Sequence, residues 1–142
     1  MARHFAAGEG GGARVCVHCF TGDEQDLRQV LATGASVGFT GYVGMQRRAT
    51  ETGTLAAIAA LHGSGQLPLG RVMIETDAPF MCPDKAWLPP GAGFARKGQC
   101  EPAFAPAVCR ALAAALGAAG RGTSTTARPR PGLRPLGAVK RP

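Results

Sequence analysis

Three short apolar segments rich in β-branched residues alternate with helix-like segments, and this alternation constrains the possible folds most strongly. The apolar segments cover residues 14–20, 35–40 and 71–76, and each has the length of a strand. Strands that alternate with helices are normally parallel, because the helix returns the chain to the same end of the sheet. The sequence therefore predicts an α/β fold with parallel strands, with residues 14–20 as a buried strand.

The intervening segments carry helix signals of their own. Thr21 and Glu24 have the spacing of a capping box at the start of a first helix, and residues 54–62 form a second apolar helix. Residues 103–117 are predicted to form a last helix, and residues 41–53 are predicted to form a loop. The expected order is strand, helix, strand, helix, strand, long loop and helix.

The chain's 142 residues limit how much of a large α/β fold it can hold. A complete (β/α)8 barrel has about 250 residues and rarely fewer than about 200. Most of the net charge of +7 comes from residues 118–142, which contain no acidic residue and whose Pro and Gly content is typical of disorder. The sequence thus divides into a Gly-rich lead at 1–13, an α/β part at 14–117 and a disordered basic tail at 118–142.

The number of cysteines and the hydropathy of the chain predict where the protein is located. Five cysteines without a secretory leader favour a reducing environment, cytoplasmic or nuclear. No apolar run approaches the roughly 18 residues of a membrane span, so no membrane partner is predicted. Cys16 and Cys19 form a C-x-x-C pattern, but it lies in a predicted strand rather than at the helix start of a redox motif. Buried thiols are the expectation, and a small zinc module is the weaker alternative.

Two polar residues end apolar strands, because His18 lies near the end of the first and Asp77 just beyond the third. Parallel strands place their carboxyl ends at one edge, where α/β proteins bind ligands. The residues are 59 positions apart, close to two βα units of about 31 residues in a barrel. Both side chains could therefore hold one divalent cation, Zn²⁺, Mn²⁺ or Mg²⁺. The structural alternatives are that His18 is a core histidine with its hydrogen bonds made inside the protein, and that Asp77 only starts a turn.

Two six-residue motifs, VHCFTG at 17–22 and IETDAP at 74–79, resemble signatures of the TatD-type metal-dependent deoxyribonucleases. Between them, GFTGY at 38–42 and the Arg-Arg pair that follows resemble the family's intervening strand and loop. The similar segments keep the family's order along the chain and cover about residues 14–117.

This resemblance implies the C-terminal part of a (β/α)8 TIM barrel, about three βα units, from an enzyme that hydrolyses phosphodiester bonds in DNA with one or two divalent cations. It implies that His18 is a metal ligand, and that Asp77 is both a metal ligand and the catalytic carboxylate that assists the attacking water. Arg47 and Arg48 are expected to contact substrate phosphates, with a solvated pair of loop side chains as the alternative.

The family's N-terminal half supplies a His-x-His pair, a glutamate and a further histidine, and this sequence has none of them at matching positions. Two ligands of a larger set should bind a cation weakly, so we expect the isolated chain to be weakly active or inactive. The alternative function is an inactive fragment acting as a basic nucleic-acid-binding or interaction protein. A truncated gene, alternative splicing and a frameshift are all compatible with these ends.

Three further residues are candidates for supporting roles. Glu75 precedes Asp77 by two positions and would share its face of a strand, so it is expected to support the site or orient the loop. Tyr42 and Trp87 are candidates for stacking on nucleobases.

Overall fold

The computed structural model describes residues 15–92 and 99–117. The predicted lead at 1–13 and the predicted basic tail at 118–142 lie outside the described residues.

Three short parallel strands form the sheet, in the order β1-β2-β3. The strands are β1 (Cys16–Val17), β2 (Ser36–Phe39) and β3 (Val72–Ile74). In register, Val17 pairs with Val37, which pairs on its other side with Val72. The prediction of an α/β fold with parallel strands is confirmed.

Helices connect and follow the strands. They are α1 (Glu24–Ala32), α2 (Gln46–Glu51), α3 (Thr54–Gly63) and α4 (Ala105–Ala115). The first connects β1 to β2, the next two connect β2 to β3, and the last follows the long loop after β3. None of the helices in the described segments is long and apolar enough to cross a lipid bilayer.

The capping residue of α1 differs from the one predicted. Asp23, rather than Thr21, is the N-cap, and its carboxylate accepts a hydrogen bond from the backbone N–H of Asp26 at 3.0 Å. The Asp26 carboxylate in turn accepts from the backbone N–H of Asp23 at 3.4 Å. Asp is at least as good an N-cap as Thr. The capping box is therefore formed by Asp23 and Asp26 rather than by Thr21 and Glu24.

The prediction of a loop at 41–53 is wrong, because this segment contains a 3-10 turn (Gly41–Gly44) and α2. The backbone N–H of Gln46, at the start of α2, donates to Asp84 Oδ2 at 2.8 Å. Asp84 is 38 residues away along the chain. The cap therefore comes from tertiary structure, which a local helix signal cannot reveal.

The hydrophobic core lies against β2, the central strand. Its fully buried members come from α1, β2, the 3-10 turn, α3 and α4, and include Leu27, Val37, Phe39, Ile58, Leu61 and Val108. The prediction of a buried strand at 14–20 is wrong for β1, where Cys16 is exposed and Val17 half-buried. Within the described segments, β1 and β3 each pair with one strand only, whereas β2 has a paired strand on both sides.

Arg71 joins the start of β3 to the end of α1 and the start of β2. Its Nε donates to the carbonyl of Ala35 at 3.0 Å, and its Nη2 donates to the carbonyl of Leu31 at 2.9 Å. These carbonyls lie at the C-terminal turn of α1 and in the link to β2, where a cation is favourable. The half-buried guanidinium therefore fixes how the helix enters the sheet.

Candidate metal centre

The two candidate ligands follow strands on opposite sides of β2. His18 comes directly after β1, and Asp77 lies three residues beyond the end of β3. Because all three strands are parallel, both residues lie at the carboxyl edge of the sheet. His18 Nε2 is 3.3 Å from Asp77 Oδ1, so the structure brings together two residues that are far apart in sequence. The His18 side chain is 59% exposed and that of Asp77 is 23% exposed.

Glu75 holds the segment that follows β1. Its Oε2 is 2.7 Å from His18 Nδ1, and its Oε1 accepts the backbone N–H of Cys19 at 2.9 Å. A histidine that donates its Nδ1–H to a carboxylate presents a free Nε2 lone pair, which is the arrangement common in metal-binding histidines. Nε2 is the nitrogen that faces Asp77, so Glu75 orients His18 for a cation on that side.

These contacts also change the acidity of the imidazole. The hydrogen bond to Glu75 raises the pKa of His18 above its usual value, and the charges of Glu75 and Asp77 act in the same direction. In the absence of a cation, the protonated imidazole is thus stabilised by the two carboxylates that flank it. A proton and a divalent cation must compete for the same nitrogen.

The backbone at the site is strained at two non-glycine residues. Cys19 has a φ of 50° and Asp77 a φ of 56°, both in the left-handed region. Such conformations cost about 1–3 kcal/mol each and persist where surrounding contacts determine them. Here the N–H of Cys19 is bound by Glu75, and the carbonyl of Asp77 accepts the N–H of Phe80 at 2.8 Å.

Cys19 adds a third donor atom, which was predicted as a ligand only in the weaker zinc-module alternative with Cys16. Its Sγ, a ring nitrogen of His18 and a carboxylate oxygen of Asp77 all lie within 4.8 Å of one another. The same Sγ is 3.5 Å from Oγ1 of the fully buried Thr40. Burial raises the pKa of the Cys19 thiol, and the hydrogen bond with Thr40 acts in the opposite direction.

Gly38 of β2 makes room for Glu75. A Cβ atom at this position would overlap with Glu75 Oε1, the oxygen that binds Cys19. The neighbouring Phe39 is fully buried and packs edge-on against Phe20, with ring centroids 6.0 Å apart. The backbone N–H of Phe20 donates to the Gly38 carbonyl at 2.9 Å. This bond attaches the chain two residues after His18 to β2.

The loop after Asp77 is held against the 3-10 turn that follows β2. A Cβ atom on Gly41 would overlap with the carbonyl oxygen of Met81, so the two backbones pack in direct contact. The N–H of Asp84 donates to the Gly44 carbonyl at 2.9 Å. The motif around Gly41 therefore positions the chain that carries Asp77.

The predicted substrate-binding arginines lie on α2. Arg47 forms an ion pair with Glu51 at 3.0 Å one helical turn away, and its side chain is 80% exposed. Arg48 is also exposed, and its carbonyl accepts the hydroxyl of Tyr42 at 3.3 Å. The ion pair of Arg47 lies within α2, and neither described contact involves His18 or Asp77.

The two aromatic candidates are not free platforms. Tyr42 is only 6% exposed, and its hydroxyl is also 3.1 Å from Thr52 Oγ1, so the prediction that it stacks on nucleobases is wrong. A 3-10 turn that packs against the core takes its ring inside the fold. Trp87 is half-buried and packs against both clusters of buried apolar residues in the described part of the chain.

The weaker zinc-module alternative paired Cys16 with Cys19. The group of potential ligands within the described residues contains Cys19 with His18 and Asp77, and does not include Cys16. All five cysteines are free thiols in the structure. The period-two spacing of Glu75 and Asp77 indicated a supporting role for Glu75, whereas the left-handed turn that redirects Cys19 has no signature in the sequence.

Comparison with known proteins gives one consistent result. The family model described as "TatD related DNase" matches residues 2–126. A protein of Erwinia billingiae named "3'-5' ssDNA/RNA exonuclease TatD" is 37% identical over 98 residues, which are 68% of this chain and 32% of that protein. A protein of the same name from Cronobacter turicensis is 42% identical over 67 residues, which are 47% of this chain and 22% of that protein. The chain spans about a third of the length of the curated relatives it matches.

Proposed function

The chain belongs to the TatD-related DNase family, and on that premise we propose that it carries part of the active site of a metal-dependent nuclease. His18 and Asp77 are the proposed metal ligands, and Asp77 is the proposed catalytic carboxylate. The observation that carries this proposal is the 3.3 Å approach of His18 Nε2 to Asp77 Oδ1 at the carboxyl edge of a parallel sheet. Ligands and catalytic groups of α/β enzymes gather at this edge.

The proposed fold of the complete unit is a (β/α)8 barrel, of which residues 14–117 supply about three βα units. Support comes from three parallel strands in sequence order with helical crossovers between them. The proposed ligands follow β1 and β3, the first and third of these strands, as expected for side chains that face one barrel mouth.

The donor set fits a divalent cation. Imidazole nitrogen and carboxylate oxygen are ligands of Zn²⁺ and Mn²⁺, and carboxylate oxygen also suits Mg²⁺. When bound, such a cation polarises a phosphoryl oxygen and lowers the pKa of a water molecule. The chain's own residues orient the reaction: Glu75 holds Nδ1 of His18. The carboxylate of Asp77 is the group proposed to accept a proton from the attacking water.

The proposed substrate is the phosphodiester backbone of DNA, and the relatives, named as ssDNA/RNA exonucleases, extend the class to single-stranded DNA and RNA. Arg47 is suited to phosphate contact because its ion pair with Glu51 is exposed and can be exchanged at little cost. Arg48 adds a second exposed cation on the same helix. We propose that both side chains bind substrate phosphates by charge-assisted hydrogen bonds.

We expect weak activity from the isolated chain. The His18 side chain is more than half exposed, and an exposed site with few ligands holds a cation weakly. The alternative, a basic nucleic-acid-binding protein without catalysis, depends on the tail at 118–142, which lies outside the described residues. The described contacts offer no observation that favours it.

The test is cleavage of end-labelled single-stranded DNA by the full chain, with Mn²⁺, Mg²⁺ or Zn²⁺ and with a chelator. We expect weak metal-stimulated cleavage that falls to the metal-free level in His18→Ala and in Asp77→Asn. His62→Ala is the matched control, because His62 lies in the last turn of α3 and is not part of the group of potential ligands within the described residues.

Cleavage that persists with a chelator or in both ligand variants would overturn this assignment. An inactive wild-type chain that binds the cation would restrict the proposal to the metal site and leave catalysis to the complete barrel. DNA retention that needs no metal and disappears when residues 118–142 are removed would favour the binding-protein alternative.

A further inference from the structure

We propose that Phe80 stacks on a nucleobase, so that the loop after Asp77 holds one base of a single-stranded nucleic acid beside the candidate catalytic carboxylate. This inference rests on the proposed nuclease function. It goes beyond that function by naming the part of the substrate that is bound, the base rather than the phosphate, and the residue that binds it.

Phe80 is 67% exposed, more than any other large apolar residue in the described part of the chain. Trp87 is half-buried, and the other aromatic residues of the described segments are buried, namely Phe20, Phe39, Tyr42 and Phe104. A single exposed apolar side chain is ordinary in a folded protein. The position of Phe80 and the rigidity of its loop distinguish it from such a case.

Phe80 lies in the same turn as Asp77. Its backbone N–H donates to the Asp77 carbonyl at 2.8 Å, which closes a four-residue turn between them. In a turn closed this way, the first and last Cα atoms lie within about 7 Å of each other. A base on Phe80 and a phosphate at Asp77 can therefore belong to neighbouring nucleotides of one strand.

The backbone on both sides of Phe80 is fixed by segments that are distant in sequence. The Pro79 carbonyl accepts the N–H of Cys100 at 2.9 Å, and the Met81 carbonyl lies directly against Gly41. An aromatic side chain on such a backbone has only two torsions to order when it binds, so binding costs little conformational entropy. The loop thus presents the ring in a preorganised position.

The two exposed arginines of α2 are attached to the same loop. This helix begins at Gln46, whose backbone N–H donates to Asp84 Oδ2 at 2.8 Å. Asp84 is four residues beyond Phe80, and Arg47 and Arg48 follow Gln46 directly. An exposed ring and exposed cations on linked segments match the way proteins bind single strands, in which bases stack on aromatic rings while cations hold the phosphates.

The chemistry of stacking determines which nucleic acid is bound. The bases of a duplex already stack on one another, so their faces are available only after unstacking, whereas a single strand offers them freely. Every base has an aromatic face, and a phenylalanine ring has no hydrogen-bonding group with which to distinguish one base from another. We therefore expect binding of single strands with little dependence on sequence.

The first experiment measures binding of the full chain to two labelled oligomers by fluorescence anisotropy. One is oligothymidylate, and the other is an abasic oligomer of the same length, which has the same phosphates and no bases. A chelator is present throughout, so that the DNA is not cleaved. The segment 118–142 is the same in every variant, so its attraction for phosphates does not affect the comparison.

We expect Phe80→Ala to weaken binding of oligothymidylate roughly 5- to 150-fold, the range that stacking of one base supplies. Binding of the abasic oligomer should not change. Phe80→Leu should lose nearly as much affinity as Phe80→Ala, because it is apolar but has no ring, whereas Phe80→Trp should keep or improve it. Leu69→Ala is the matched control, because Leu69 is 53% exposed and lies in the 3-10 turn before β3, at the opposite end of that strand.

The second experiment uses the wild-type chain alone. An oligomer in which 5-iodouracil replaces thymine is bound and irradiated, which joins the base to an aromatic side chain stacked on it. Mass spectrometry then identifies the attached residue. We expect Phe80 to be the main site, and attachment to other residues without Phe80 would contradict the assignment.

The outcomes separate this inference from the proposed function. Equal affinity for the two oligomers, an equal loss for both in Phe80→Ala, or full affinity in Phe80→Leu would overturn stacking. A dimer that depends on Phe80, detected by sedimentation, would show that a second copy covers the ring instead. None of these results changes metal-dependent cleavage as a property of His18 and Asp77. Conversely, base-dependent binding by a chain that never cleaves DNA would leave Phe80 as a binding residue and remove the nuclease assignment.

Discussion

Glu75 Oε2 lies 2.7 Å from Nδ1 of His18, so the carboxylate that follows β3 holds the imidazole that follows β1, 57 residues away. The second oxygen of the same carboxylate binds the backbone N–H of Cys19. A single side chain thus fixes both the tautomer of the histidine and the turn beside it. Much of the geometry of the candidate site depends on this contact.

Glu75→Gln should weaken metal binding while leaving the fold intact. The amide has almost the same shape, but it has no charge to stabilise a proton on Nδ1 or to raise the basicity of the ligating nitrogen. Loss of such a partner typically lowers metal affinity about 10–100-fold. Equilibrium dialysis with Zn²⁺ measures the change. Glu51→Gln on α2 is the matched control, and an equal loss in the two variants would contradict the role given to Glu75.

Gly38→Ala should disturb the site from within β2. The new methyl group would overlap with Glu75 Oε1, so either the glutamate leaves Cys19 or the strand shifts. The contact is with the end of a flexible side chain, so we expect the glutamate to move and its hydrogen bond to Cys19 to be lost. Such a loss costs about 1–3 kcal/mol of unfolding free energy, measured by urea denaturation. Gly63→Ala, at the end of α3, is the control, because no atom lies within 4 Å of the Cβ added there. Equal stability in the two variants would show that the space at Gly38 is not needed.

Arg71→Met should destabilise the fold without touching the site. The substitution keeps the apolar stem but leaves the carbonyls of Leu31 and Ala35 without their donor. Unpaired polar groups in a half-buried setting cost about 1–3 kcal/mol of unfolding free energy. Arg28→Met removes exposed contacts with Glu24 and Gln66 and should change stability by less than about 0.5 kcal/mol. A smaller loss for Arg71 than for Arg28 would contradict this account of how β3 is held.

Metal binding should weaken as the pH falls through the raised pKa of His18. In the metal-free chain, the protonated imidazole is stabilised by Glu75 and Asp77, so its contribution to folding is present at low pH and is lost as the pH rises through that pKa. A cation has the opposite preference, because it needs the deprotonated nitrogen. Zinc dissociation constants measured across the pH range should show an inflection above the usual histidine value of about 6.5. Glu75→Gln should move this inflection to lower pH, and an unchanged profile would show that the carboxylate does not control the imidazole.

The sequence predicted the parts of the fold that depend on local patterns. The alternation of apolar segments and helices is sufficient to predict three parallel strands, and the strand ends indicate His18 and Asp77. It did not predict α2, because the cap of Gln46 is supplied by Asp84 after a long intervening segment. It also predicted that β1 is buried, which is wrong. An apolar sequence such as residues 14–20 is compatible with an edge strand as well as with a central strand.

For the candidate site too, the sequence predicted what neighbouring residues determine and missed what contacts between distant segments determine. The spacing of Glu75 and Asp77 indicated that they share a face, but the hydrogen bond to His18 depends on how β1 and β3 flank β2. The left-handed conformation of Cys19 is held by Glu75 from another strand, so no neighbouring residue indicates it. Tyr42 was predicted at the substrate surface, whereas its hydrophobic ring and its bond to Thr52 place it inside.

The sharing of one cation by His18 and Asp77 is tested most directly by zinc dissociation constants in a double-mutant cycle. The four proteins are the wild-type chain, His18→Ala, Asp77→Asn and the double variant, each measured by equilibrium dialysis. If both residues bind the same ion, either substitution alone removes most of the affinity, and the double variant binds little worse than the weaker single variant. Losses that add independently, or single variants that bind zinc as the wild-type chain does, would contradict a shared metal site.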